Sequence, residues 1–339
     1  MPLTRGRSDD WLPPSVGPVE AAAVEAVAAR LGARCPGRLG EQVPLAPLTT
    51  FRLGGPARLF LRAESLGDLV ALAEVLAEVP VPLLVLGRGS NVLVSDAGWP
   101  GVVLHLGRYF RSVTIDGEEI EAGGATPLPS LAARSAAASL GGLAFAVAIP
   151  GSVGGGIRMN AGAHGGELSD RLLWAETIDL AAGASAQSIR VKPGDIGFVF
   201  RGSALPRSVV VTSARFICDP TPEAEVRAQI DEARRWRREN QPVNQPNCGS
   251  VFVNRPNLPG ALVVERLGMK GERCGGARIS EIHANFIVAG EGARSADVLE
   301  LIRRVIRRAR DEGDFALRPE VQLAGDFAAT GPGVAGDGP

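Results

Sequence analysis

Apolar residues fall at helical spacing in several stretches and in short unbroken runs between them. The stretch Val19 to Leu31 predicts a helix ended by Gly32, followed by a Gly/Pro linker. A second helix is expected from Ser65 to Val79. Ser65 and Asp68 are spaced as a capping box there, and Leu69, Leu72, Ala73 and Leu76 form its apolar stripe. The run Val81–Leu86 reads as a buried strand, Gly87–Asn91 as a loop, and Val92–Ser95 and Val102–Leu106 as further strands. Val113–Ala122 has the alternation of a hairpin that turns at Asp116-Gly117. Thr126-Pro127 opens a helix that closes at Gly141-Gly142, and strands dominate from there to Val209–Ile217.

The texture changes at Pro220. Thr221 and Pro222 are suited to the N-cap and first turn of a helix reaching about Asn240. Ser250–Val253 and Asn285–Ala289 are strand-like, and Ser295 to Asp311 is an amphipathic helix. The tail Ala328–Pro339 is rich in Gly and Pro, a disordered composition. The pattern is that of an α+β protein with a boundary near residues 218–222.

Composition narrows the function classes. Lys and Arg total 36 against 37 Asp and Glu, so at a net charge of −1 no global field draws in nucleic acid or anionic membrane. The arginines Arg303, Arg304, Arg307, Arg308 and Arg310 lie opposite the apolar face of the last helix, as on a solvated surface. Cys35, Cys218, Cys248 and Cys274 are far apart, with no CxxC pair and no metal spacing, which suits reduced thiols in the cytoplasm. No apolar run approaches the roughly 20 residues of a membrane span, residues 1–14 lack a signal-peptide core, and no protein partner is indicated.

The glycines are clustered. Gly87, Arg88, Gly89, Ser90 and Asn91 follow a strand directly, where successive backbone N–H groups can converge on an anion such as a pyrophosphate. A plain tight turn is the alternative, since the spacing is not that of the dinucleotide fingerprint. The segment Ile149–Glu167 holds seven glycines among few bulky residues. Its Ile149, Val153, Ile157 and Met159 argue for an ordered segment whose backbone lies flat against a planar ligand, rather than for a linker or a packed element.

Together with Thr49-Thr50-Phe51-Arg52-Leu53-Gly54-Gly55-Pro56-Ala57, these segments resemble the MurB family of flavoenzymes over about residues 45–327. The resemblance implies a FAD-binding domain of the vanillyl-alcohol-oxidase/PCMH type at 45–219 and a substrate domain at 220–327. Residues 1–44 would be an N-terminal extension, and 328–339 a tail. It further implies non-covalent FAD, NADPH as hydride source, and a UDP-sugar, UDP-N-acetylglucosamine enolpyruvate, as substrate. The cofactor contacts it implies are residues 87–91 with Pro150, Gly151, Ser152, Gly154, Gly155, Asn160, Ala161 and Gly162.

Reducing an enol ether conjugated to a carboxylate requires a hydride donor, a cation for the developing enolate and an acid for the other carbon. On the family pattern Arg201, in Gly197-Phe198-Val199-Phe200-Arg201-Gly202-Ser203, takes the carboxylate. Ser250, in Pro246-Asn247-Cys248-Gly249-Ser250, gives the proton, and Glu320, in Leu317-Arg318-Pro319-Glu320-Val321, assists the enolate. Asn254 and Lys270 would bind substrate, Lys270 at the diphosphate unless it is simply a solvated lysine. Cys248 has no partner base, and His283 reads as structural. Phe200, Ile282, Ala289 and Arg318 depart from the family pattern. With Tyr109 as the sole tyrosine, the chain resembles the class without a tyrosine lid. Two rivals remain: another flavin oxidoreductase on the same scaffold, and a non-catalytic flavin- or UDP-sugar-binding paralogue.

Overall fold

A computed structural model of the chain describes residues 11–12, 15–254, 258–313 and 317–327; the expected disordered tail lies outside the described residues. Helix α1 (Ala21–Arg34) runs past Gly32 because its stripe Val24, Val27, Leu31 continues to Cys35, all buried against the first sheet. That packing outweighs the roughly 1 kcal/mol that a mid-helix glycine costs. Helix α2 (Leu66–Glu78) starts at the expected capping box, Ser65 with Asp68, and Asp68 also pairs with Arg38. Both helices cover one face of a four-stranded sheet ordered Leu39–Pro44, Pro56–Ala63, Trp99–Leu106, Leu83–Val85. Since Leu39–Pro44 pairs with Pro56–Ala63, residues 15–44 are part of this unit and not a separate extension.

A second, antiparallel sheet is ordered Ser188–Val191, Leu172–Asp179, Val209–Ile217, Glu119–Gly123, Val113–Asp116. Its core holds α3 (Leu128–Ala137), α4 (Val153–Met159), the short α5 (Pro193–Ile196) and α6 (Glu223–Asn240). Here two expectations are corrected. The glycine-rich segment does form a packed element, α4, because Val153 and Ile157 are fully buried while the glycines let it approach its neighbours. The break in packing comes after α6, near residue 241, since Val226, Ile230 and Ala233 bury into this second core. Pro220 closes a two-residue strand paired with Leu140–Gly141, just before α6, and does not start a packing unit.

The third unit has α7 (Gly260–Arg266) and α8 (Ser295–Gly313) around the strands Arg273–Cys274, Ala277–Ile279 and Ile287–Ala289. Ser250–Val253 is extended but joins no sheet, touching Pro319 through an isolated bridge at Phe252. Three of the α8 arginines are paired along the helix, Arg304 and Arg307 with Glu300 at 3.0 Å and Arg308 with Glu312 at 2.8 Å. The chain then returns to the first unit. Gln322–Ala324 pairs in parallel with Val92–Val94, and the Asp96 carboxylate accepts from the N–H groups of Ser295 and Ala296 at the start of α8. No helix among the described residues is long and apolar enough to cross a membrane.

Candidate active site

The loop Gly87–Asn91 leaves the strand Leu83–Val85 and faces the turn that opens α4. A Cβ on Gly87 would lie 2.8 Å from Ser152 Oγ, and one on Gly89, at φ +61°, would lie 2.3 Å from the carbonyl of Leu48. Only glycine fits at 89, because a backbone carbonyl cannot swing away as a side chain can. Thr50 backs the loop by donating to Gly89 O from its N–H at 3.0 Å and its hydroxyl at 3.3 Å. The carbonyl of Thr50 accepts from Asn247 N–H at 3.1 Å, tying the flavin-side loop to the Ser250 segment. Arg88 Nε donates to Pro150 O at 2.9 Å, joining the two glycine segments.

Between these elements runs a cleft of about 420 Å³, walled by the two glycine segments on one side and by residues 247–250 and 320–325 on the other. Its lining carries five arginines (Arg88, Arg158, Arg201, Arg207, Arg237) against a single carboxylate, Glu320. An anionic ligand with a flat body fits that lining: backbone approaches closely at the glycines, and cations surround the rest.

Arg201 sits in a tight turn in which Val199 and Gly202 exchange backbone hydrogen bonds at 3.0 and 3.1 Å. Its φ is +58°, a left-handed conformation that costs a side-chain-bearing residue roughly 1–3 kcal/mol. The turn aims the guanidinium into the cleft, where Nε lies 3.8 Å from Glu320 Oε1. Glu320 is placed from both sides. Its N–H donates to Val251 O at 2.7 Å, and its carbonyl accepts from the Asn91 side chain at 3.2 Å. Burial pushes the Glu320 carboxyl above the usual carboxylate range, with Arg201 and Arg318 pulling the other way. Ser250, next to Val251, shares this wall of the cleft, so the three expected reacting residues converge.

Asn285, not assigned a role from sequence, fixes the Ser250 segment. It is buried; its Oδ1 accepts from Phe252 N–H at 2.8 Å, and its Nδ2 donates to Phe252 O at 2.8 Å and to Asn254 Oδ1 at 3.2 Å. His283 is structural, with Nδ1 accepting from Asn285 N–H at 3.2 Å and burial holding its pKa below the usual value. Cys248 is buried and its thiol pushed up by that burial, which leaves no thiolate nucleophile.

Most of the expected contact residues border the cleft, including Pro150, Gly151, Ser152, Gly155, Ala161, Gly162 and Asn254. Gly154 borders instead a narrow side cavity of about 70 Å³ that shares Gly87, Arg88 and Ser152 with the cleft. Two of the expected contact residues are not among those that line the cleft. Asn160 is buried at the left-handed end of α4, where its amide holds Glu167 at 2.9 Å and Ser169 N–H at 3.2 Å, so it shapes the loop and does not line the cleft. Lys270 is also absent from the lining, and its ammonium pairs with Glu265 at 3.2 Å. Of the departures, Phe200 is exposed with its ring 5.1 Å from the Arg201 guanidinium, Ile282 is exposed, and Ala289 is buried in the third core, where an asparagine amide would need a partner.

Residues 57–186 match the family model for the FAD binding domain, and residues 241–324 match that for the UDP-N-acetylenolpyruvoylglucosamine reductase, C-terminal domain. The reductase of Methylorubrum extorquens (strain PA1) is 41% identical over 290 residues, 85% of this chain and 92% of that protein. The chain belongs to the UDP-N-acetylenolpyruvoylglucosamine reductase family. The Anaeromyxobacter sp. (strain Fw109-5) reductase is 38% identical over 301 residues, covering 89% and 93%. The crystal structure of the Thermus caldophilus reductase (MurB) superposes with a TM-score of 0.73 at 34% identity, over 85% of this chain and 99% of that one. The expected fold class holds, an α+β FAD-binding domain joined to the family's smaller C-terminal domain. FAD is the cofactor and NADPH the co-substrate of this family of oxidoreductases.

Proposed function

We infer that this chain reduces UDP-N-acetylglucosamine enolpyruvate to UDP-N-acetylmuramate, a step of peptidoglycan precursor synthesis, and works in the cytoplasm without a nucleic-acid or obligate protein partner. The observation that carries this reading is that Arg201, Ser250 and Glu320 line one glycine-lined, arginine-rich cleft, with Arg201 3.8 Å from Glu320. A different flavin oxidoreductase would have no use for that trio, and a non-catalytic paralogue no reason to hold Arg201 in a strained turn.

When bound, FAD would supply a hydride, taken from NADPH, for the terminal methylene carbon of the enolpyruvyl double bond. The chain's own residues do the rest. Arg201 presents a planar fork to the substrate carboxylate, onto which charge moves as the double bond is consumed. Glu320, held by Asn91 and Val251, keeps that guanidinium oriented across the 3.8 Å gap. Ser250 protonates the carbon next to the carboxylate; a hydroxyl is a weak acid, so this role depends on the rigid backbone that Asn285 imposes.

The test separates two half-reactions. Ser250→Ala should leave flavin bleaching by NADPH near the parent rate, while reoxidation by the enolpyruvyl substrate slows by about 10²–10⁴-fold in stopped-flow absorbance. Reoxidation at the parent rate would remove Ser250 from the mechanism. No substrate-driven NADPH oxidation by the unsubstituted protein would sink the reading as a whole.

A further inference from the structure

Helix α6 is anchored in the second core by Val226, Ile230 and Ala233, yet its last turn reaches the cleft. Arg237 lies there half-buried, and its Nε donates to Gln241 Oε1 at 3.0 Å. Gln241 is neutral and lines the cleft as well. On the same helix Arg227 pairs with Glu223 at 2.5 Å and Arg234 with Asp231 at 3.5 Å; of the cleft's other arginines Arg201 has Glu320, while Arg88 and Arg158 donate to the backbone carbonyls of Pro150, Leu205 and Pro206. Among the described residues, none of the ion pairs involves Arg237. Burial alone shifts its pKa, downward, and no neighbouring carboxylate offsets that shift.

A partly desolvated cation without a counter-ion is unfavourable unless its partner arrives with the ligand. A guanidinium steadied by a neutral amide keeps its whole charge for whatever occupies the cleft. The occupant is FAD, and its charge changes during turnover. Each cycle moves a hydride, two electrons and one proton, from NADPH to the cofactor; NADP⁺ leaves, and one negative charge is gained by the isoalloxazine. We propose that Arg237, held in place by Gln241, is a redox-tuning residue whose charge favours the reduced, anionic form of the bound cofactor and so raises its reduction potential. Charge near the flavin ring is a recognised lever of protein on cofactor. Arg201 contributes less to it, because Glu320 offsets Arg201 and nothing offsets Arg237.

The experiment is equilibrium reduction of the FAD-loaded protein against a reference dye at neutral pH. Arg237→Gln should lower the reduced-to-oxidised equilibrium constant about tenfold, which is about 30 mV for a two-electron couple. Arg237→Lys keeps the charge and should stay within about threefold of the parent. Gln241→Glu places a carboxylate on the same guanidinium and should shift the potential in the same direction as Arg237→Gln. It decides the matter if that variant folds poorly. A parent potential in both Arg237→Gln and Gln241→Glu overturns the proposal. If that result comes with FAD affinity more than tenfold weaker, Arg237 is a ligand of the cofactor's diphosphate. If it comes with a raised KM for the enolpyruvyl substrate alone, Arg237 is a substrate contact.

Discussion

Replacing Asn285 with alanine tests whether Ser250, the proposed proton donor, is positioned by one buried amide. Asn285 is 1% exposed, and it satisfies both the N–H and the carbonyl of Phe252, a residue itself 1% exposed. Alanine would leave those two backbone groups without partners. Each orphaned buried group costs about 1–3 kcal/mol, so the local structure should lose about 2–5 kcal/mol, towards the low end if water enters the vacated space. At about 1.4 kcal/mol per decade, the Phe252 amide should exchange with solvent at least about 30-fold faster. Ser250 stands two residues upstream, and a shift of about 1 Å in a reacting group can cost about 10² in rate. Hydrogen-exchange protection of the 250–254 segment and turnover should therefore fall together. Asn285→Asp is the sharper control. It keeps the acceptor for Phe252 N–H but sets an oxygen against Phe252 O and Asn254 Oδ1, and should do no better than alanine. Unchanged Phe252 exchange with turnover within about threefold of the parent would refute the reasoning.

Two further substitutions bear on the reacting pair. Arg201→Lys keeps the charge but loses the fork, and kcat should drop by about 10²–10³ with flavin absorbance retained; unchanged kcat would place Arg201 away from the carboxylate. Glu320→Gln should lower activity yet stabilise the fold at high pH. Since burial raises its pKa in the folded protein, what Glu320 contributes to stability is present below the usual carboxylate value and lost as pH rises through the raised one. The Tm gain of Glu320→Gln should be largest at about pH 8 and vanish below about pH 4, and a gain independent of pH would contradict the assignment.

What could be read from the sequence was what local chemistry determines. The capping box of α2, the hairpin at Asp116-Gly117 and the start of α8 follow from short-range spacing, and all three are present. Motif order brought Arg201, Ser250 and Glu320 into view although they are far apart in the chain. The failures share one cause. Gly32, the glycines of α4 and the Pro220 boundary were judged by what residues prefer locally, while packing against distant strands decided the outcome. Asn160 and Lys270 belong to motifs that touch the ligand-bearing elements, but a motif does not show which of its side chains turn inward. Arg237 had no visible signal, since it is one of four arginines clustered around Trp236 and nothing local sets it apart.

The reacting wall is assembled from components that would be unfavourable alone. Arg201 holds a left-handed backbone conformation, and Glu320 is buried enough that its ionised form is disfavoured. Neither persists without a surrounding structure that leaves it no alternative. That structure comes from elements distant in sequence. Asn91 on the flavin loop grips the carbonyl of Glu320, Thr50 links Gly89 to Asn247, and Asp96 receives the first N–H groups of α8. Each of these contacts joins the flavin-binding unit to the C-terminal one, so the glycine loop and the Ser250 segment are tied by the same set of hydrogen bonds. The consequence is mechanical: the flavin loop cannot shift without moving Glu320 and the Ser250 segment with it. On the proposed roles, cofactor seating and the placement of Ser250 and Glu320 are therefore coupled through hydrogen bonds that run from the glycine loop to the C-terminal unit.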